Sequence, residues 1–317
     1  MDFKEVSYIV AIAKEGTLSK AAEKLYISQP ALSRFLQRTE AFLGVSLFTS
    51  IGKKMIPTYA GEKYIEMAKR VLLLKDDFEK ELDDIKDLKT GKLSVGLSSG
   101  RGKIILGKVL PVFCKKYPQF EVKTYLETAE KLEQFLLDGK VQLIEYTVDK
   151  DEHFAYNKMN KDIIAQEEII LVTSKKRHIR GTEKDGFYRP WADLKKLEGE
   201  RFLLLYPGSR LRSKTDHIFH ELGLNPTFME FTSIDTIWEL VRQGFGIALG
   251  PEFNCQVSSN SCDYFSIGNN GIRWEFVAAY RNESYLSKQA KDFIEITKYF
   301  WGNNNHHCML PQKSIDK

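Results

Sequence analysis

Along residues 1–58 apolar positions recur at helical spacing in short runs, broken by Gly16, Gly44 and Gly52 and closed at Pro57-Thr58, which predicts a small helical domain. Within it, Leu18 to Arg38 reads as two short helices around a tight turn. Thr17 caps the first, and Ala21 and Ala22 are small enough for a second helix to cross closely. Tyr26-Ile27 makes the turn, Ser28 caps the next helix, and Pro30 sits in its first turn, where a missing N–H costs nothing. Leu32, Phe35 and Leu36 form the buried stripe of that helix, leaving Gln29, Ser33, Arg34, Gln37 and Arg38 on the opposite face.

From Tyr59 to about residue 90 the pattern becomes one long, charged helix. Tyr64, Val71, Phe78 and Ile85 fall in one column at heptad spacing, and Ala68, Lys75 and Leu82 in the next. An amphipathic helix packing on its own domain would show a similar stripe. Because this seam runs on past the small domain, it predicts self-pairing of two chains. After Lys89-Thr90-Gly91 strands and helices alternate: strands at 93–97, 120–126 and 141–147 enclose helices at 104–117 and 129–137. Such a run implies a parallel sheet with helices on its faces. A second run follows, with strands at 168–173, 202–206, 227–231 and 246–249 and helices at 211–222 and 234–243. The strand at 274–280 and helix at 286–300 then return to the first lobe, giving two crossovers and a cleft. The domains predicted are 1–58, a linker helix at 59–90, and a two-lobed α/β unit at 91–302. Its lobe I takes about 91–164 and 270–302, its lobe II about 165–269, and 303–317 is an aperiodic tail.

Charge changes this picture only locally. A net charge of +4 over 317 residues excludes a polybasic tail, so any nucleic-acid surface has to be one face of one domain. The polar face of the second short helix is such a face: Gln29, Ser33 and Arg34 suit base edges, with Pro30 beside them and Arg38 on the backbone. A helical hairpin with an incidental polar face is the plainer alternative. Against it stands Gly52-Lys53-Lys54, a basic turn between two short extended pieces, read as a wing whose lysines touch phosphates. The opening Met1-Asp2-Phe3-Lys4-Glu5 does not read as a secretory signal, no stretch is long and apolar enough to span a bilayer, and the four cysteines are dispersed. The expectation is a cytoplasmic chain with no membrane partner.

The run from Phe3 to Phe48, with Ala-Ala at 21–22 and Ser-Gln-Pro-Ala-Leu-Ser at 28–33, resembles the DNA-binding domain of LysR-type transcriptional regulators nearly position for position. Ala60-Gly61, Gly208-Ser209-Arg210-Leu211-Arg212 and the stretch from Val241 to Pro251 are similar to later parts of that family, so the resemblance covers about residues 1–300. It implies a winged helix-turn-helix, a dimerising linker helix, and a regulatory domain like type 2 periplasmic binding proteins, whose interlobe cleft receives a small coinducer. A dimer of dimers is implied as well, with double-stranded DNA, and RNA polymerase beyond it, as partners. One departure stands out: Gly139-Lys-Val-Gln142-Leu-Ile-Glu145 lacks the family's usual Asp in that strand and carries Glu145 instead.

Ligands of parallel α/β lobes bind where strands end and helices begin. Here those positions are Ser98, Ser99, Gly100, Thr128 and Thr147 in one lobe and Gly208, Ser209, Thr232, Ser233 and Pro251 in the other. Their hydroxyls and backbone N–H groups suit an anion, with Arg101 and Arg210 ranked behind them as exposed, solvated arginines. Gly96-Leu-Ser98-Ser99-Gly100 also fits the nucleophile elbow of a serine hydrolase, the alternative function, but only one strand precedes it and no histidine is suitably spaced. A pure solute-binding protein would have no use for the N-terminal domain. Cys255 and Cys262 are spaced as a redox pair without cationic neighbours, and no cluster, His306-His307-Cys308 included, has metal-ligand spacing, so no metal or cofactor is expected.

Overall fold

Helix boundaries in the N-terminal part follow the local capping chemistry. In the computed structural model, which describes residues 2–86, 90–149, 158–253 and 261–302, α1 (Phe3–Glu15) opens on a capping box between Asp2 and Glu5. Thr17 Oγ1 accepts the Lys20 amide to start α2 (Leu18–Lys24). The next helix, α3 (Gln29–Leu43), starts after Ser28, whose backbone has the cap conformation but whose hydroxyl makes no capping bond, unlike the expectation. The start is fixed instead by Pro30 and by the Ser28 carbonyl, which accepts from the amides of Ala31 and Leu32.

Glu40 then turns the chain: its Oε1 accepts the amides of Leu47 and Phe48 at 2.6 and 3.1 Å, anchoring β1 (Phe48–Ile51), which pairs antiparallel with β2 (Lys54–Pro57) as the wing. Thr58 Oγ1 accepts the Gly61 amide and starts α4 (Tyr59–Ile85). Gly61 is required there, since a Cβ would lie 1.9 Å from the Leu47 carbonyl oxygen.

One core joins these elements, centred on Val6, Ile9, Ile12, Ala21, Ala22, Leu32, Phe35, Leu36, Leu47 and Phe48. It also takes in Tyr64 and Ala68, with Val71 packed against it, so the first part of the heptad seam serves its own domain. Further on, Leu74, Phe78 and Ile85 are exposed. Packing on its own domain thus accounts for the first part of the stripe, and the rest of it is left exposed. Met1–Leu88 with Ser284–Ser287 forms one compact unit, and Lys89–Glu283 with Lys288–Lys317 the other.

In the second unit β3 (Thr90–Ser98) runs parallel to β4 (Gln119–Glu127) and to β5 (Leu143–Val148), linked by α5 (Ser99–Lys116) and α6 (Ala129–Leu137), the parallel lobe that the alternating pattern predicts. The next strand is far longer than its sequence signal: β6 (Met159–Ser174) has 16 residues and serves both lobes. Lobe II continues with β7 (Phe202–Leu205), parallel to β8 (Phe228–Phe231), with α7 (Arg210–Leu222) between them. After α8 (Ile234–Arg242) and β9 (Ala248–Pro251) comes β10 (Cys262–Ser266), which the hydrophobic pattern did not reveal. Both β9 and β10 pair antiparallel with the second half of β6. The return strand β11 (Ile272–Arg281) pairs antiparallel with β6 from Met159 to Ile169 and with β5, and α9 (Lys288–Gly302) follows. The β6/β11 register slips between Phe276 and Val277, opposite Ile164, and a bulge bends a strand pair at that point. Two paired strands thus carry the chain between the lobes.

Candidate binding cleft and helix-turn-helix face

On α3, Gln29, Pro30, Arg34 and Arg38 are exposed and Ser33 is half-buried, while Lys53 and Lys54 are exposed at the wing turn. The four cations of this set make no ion pair with any described residue, so their charge is available to a polyanion. Tyr26, in the turn before α3, is also almost fully exposed and has a φ of 54°, a backbone state uncommon for an aromatic residue. Sequence reading placed Tyr26 in the turn but gave it no exposed role.

The positions predicted at strand ends come together. Ser98, Ser99, Gly100, Thr128, Thr147, Gly208, Ser209, Thr232, Ser233 and Pro251 all line one cleft of about 500 Å³. Four helix N-termini face it: α5 after Ser98, α6 after Thr128, α7 after Ser209 and α8 after Ser233. Each presents partly unsatisfied N–H groups and a positive dipole end. Ser98, Thr128 and Ser233 make no side-chain capping bond, so helix capping does not occupy their hydroxyls. Ser209 differs, its Oγ accepting the Arg212 amide at 3.1 Å. Gly208, with φ +98°, gives the chain the left-handed turn that brings Ser209 to the rim. Tyr146, Tyr206, Phe253 and Trp274 supply aromatic walls that sequence reading missed. For Tyr146 a signal existed, since it neighbours Thr147 in a strand. For Trp274 it lay only in the β11/β6 register.

Arg101 is not the solvated arginine expected from sequence. It is 2% exposed, and both terminal nitrogens donate to Glu167 at 2.6 Å, while Phe253 and Phe276 sandwich the guanidinium with ring centroids 4.1 Å away. The indoles of Trp274 and Trp301 donate to the same carboxylate at 3.1 and 3.0 Å. A cation held this way is structural. Arg210 is mostly buried and paired with Glu133, again unlike the expectation.

Glu145, the departure from the family pattern, is not among the residues that line the cleft. It is fully buried, and its Oε1 accepts the Thr297 hydroxyl of α9 at 2.9 Å. Burial pushes its carboxyl up to about 8, against the Thr297 hydrogen bond and the charge of Arg101, which both pull it down. The folded chain therefore keeps a proton that the unfolded chain releases near the ordinary value of 4.5. Stability from this site is full below that value and falls as pH rises towards 8, by up to about 1.4 kcal/mol per pH unit. Melting temperatures of wild type and Glu145→Gln between pH 5.5 and 8.5 should diverge, the variant losing less with rising pH. Parallel profiles would contradict this.

Ser98 does not form a hydrolase elbow. Its φ and ψ are −61° and 134°, ordinary extended values rather than the strained turn an elbow needs, and no histidine lines the cleft among the described residues. Burial pushes the Cys262 thiol up, and Cys255 lies outside the described residues, as do His306, His307, Cys308 and the whole predicted tail. Among the described residues no group of three or more His, Cys, Asp or Glu is arranged to hold a metal ion, and no helix is long and apolar enough to cross a membrane.

Residues 3–62 match the family described as "Bacterial regulatory helix-turn-helix protein, lysR family", and residues 86–301 match "LysR substrate binding domain". The chain is 26% identical over 310 residues, covering 94% of each, to the "Uncharacterized HTH-type transcriptional regulator YcgK" of Bacillus subtilis (strain 168). It is 28% identical over 314 residues, 94% of its own length and 95% of the relative's, to a "Probable RuBisCO transcriptional regulator" of Chlorokybus atmophyticus. Among solved structures, a full-length OxyR variant from Pseudomonas aeruginosa shares the fold with TM-score 0.67 at 21% identity, covering 94% of both chains. Full-length CbnR complexed with its target DNA does so with TM-score 0.57 at 21% identity, covering 94% of this chain and 99% of that one.

Proposed function

The chain belongs to the LysR family of transcriptional regulators, and from that premise we propose that it binds operator DNA through α3 and the wing and takes a small anionic coinducer in the interlobe cleft. The observation that carries the coinducer's charge is the convergence of four helix N-termini on one cleft, three with hydroxyls not used in capping. Such a site favours a carboxylate or another oxyanion.

On DNA, Gln29, Ser33 and Arg34 would face the major groove with Pro30 packed beside them, Arg38 would lie on the backbone, and Lys53 and Lys54 would touch phosphates from the wing. Two chains pair through the exposed stretch of α4, two such dimers form a tetramer, and RNA polymerase is the further protein partner in the cytoplasm. The coinducer favours one arrangement of the lobes by its differential affinity for the two states, and the long helices pass that change to the DNA-binding domains. The chemistry is binding, not catalysis.

A calorimetric or thermal-shift screen of organic acids against wild type and the Ser99→Ala/Ser209→Ala double variant tests the site. An acid that stabilises wild type should bind the double variant several-fold more weakly. Equal binding would move the site elsewhere.

A further inference from the structure

Three cations line the cleft among the described residues, and each is already paired with a carboxylate: Arg101 with Glu167, Lys103 with Asp235, and Arg210 with Glu133. They differ in how readily an incoming anion displaces that partner. Arg101 is held by both nitrogens of its fork inside an aromatic sandwich and cannot turn toward a ligand without dismantling it. Lys103 and Asp235 are both well exposed, so water and salt screen whatever either offers. Arg210 lies between these extremes. It is mostly buried, stands over the Tyr146 ring with its guanidinium 5.1 Å from the centroid, and meets Glu133 through Nη2 at 2.8 Å.

The pair also crosses the cleft. Arg210 opens α7 in lobe II and Glu133 lies on α6 in lobe I. One turn further along α7, Lys214 reaches Asp149, at the end of β5 in lobe I. If Arg210 changes partner, that second bridge still ties the lobes. We infer that Glu133 is a built-in stand-in for the coinducer's carboxylate: the ligand takes Arg210 from Glu133, and this exchange sets both the class of ligand and the threshold for its binding.

The inference rests on the cleft being the coinducer site. A ligand carboxylate replaces Glu133 on the guanidinium without leaving a buried cation unpaired, and Glu133, already partly exposed, turns to solvent. A second acidic group on the ligand would meet another of the helix N-termini that line the cleft. Neutral molecules of the same shape cannot make the exchange, so the site selects for carboxylates, dicarboxylates above all.

Full-length wild type, Glu133→Gln and Arg210→Gln would be titrated by calorimetry with linear dicarboxylates of two to six carbons and with the matching diamides. Glu133→Gln should bind the preferred dicarboxylate about tenfold or more tightly than wild type, because the competitor has lost its charge. Arg210→Gln should lose that binding, and the diamides should bind none of the three. A merely structural role for Glu133 would leave affinity unchanged or lower it. Equal affinity of wild type and Glu133→Gln, with binding still dependent on Ser99 and Ser209, would overturn the exchange and leave the anionic cleft standing. If no dicarboxylate bound Glu133→Gln, the exchange would be wrong. If no organic acid bound any variant, the anionic cleft would fall with it.

Discussion

Replacing Glu167 by Ala is expected to lower the stability of the regulatory unit by about 3–5 kcal/mol, or roughly ten degrees in melting temperature for a domain of this size. The carboxylate accepts four hydrogen bonds, two from Arg101 and one each from the Trp274 and Trp301 indoles. Deleting it strands a guanidinium between two phenylalanine rings and leaves two buried indole N–H groups without their acceptor. Asp235→Asn removes one end of an exposed ion pair and is expected to change stability by less than about 0.5 kcal/mol. Scanning calorimetry of the two variants beside wild type decides the matter, and similar shifts for both would show that Arg101 does not hold the unit together.

The second large effect is expected from Phe78→Glu. Phe78 is 59% exposed on α4, and Leu74 and Ile85 are exposed nearby on the same helix. A charge there leaves the core of the DNA-binding unit intact while opposing the burial of this stripe against a second chain. One winged domain reads one half-site, so loss of the pair removes the advantage of tethering two readers at a fixed spacing. Operator affinity should fall by about 10²-fold or more, with the mass in light scattering falling below that of the wild-type assembly. Val71 is a poorer probe, since it packs against the domain's own core. A variant that still shifted operator DNA at the wild-type concentration would place the dimer contact elsewhere.

The order of most elements was legible from periodicity because the helices are amphipathic and the buried strands read as short apolar runs; β10 was the exception. Leu32, Phe35 and Leu36 mark the inner face of α3, and Ser98, Thr128, Ser209 and Ser233 stand where hydrophobic strands give way to helices. In each lobe the parallel strands end on one side, and the strand ends of both lobes line one cleft. What the pattern could not supply were properties that depend on register. The first half of β6 is a crossover strand whose neighbours are set by β11, more than a hundred residues away along the chain, so its alternation carries no signal of length. The burial of Arg101 was illegible for the same reason: its partner Glu167 and its ring neighbours Phe253 and Phe276 come from distant segments. Glu145 could face either side of β5 until α9 brought Thr297 to it.

Sequence-specific recognition by α3 is tested most directly by selection of bound duplexes from a random pool by the purified full-length chain, at fixed salt, beside Arg34→Ala. The wild type is expected to enrich one two-fold symmetric site, bound about 10³-fold or more tightly than random DNA. Arg34→Ala is expected to retain salt-dependent binding while losing about 1–3 kcal/mol and its preference at the contacted base. A wild type that enriched no sequence, or an Arg34→Ala variant that enriched the same site with undiminished affinity, would contradict the assignment of α3 as the reading helix.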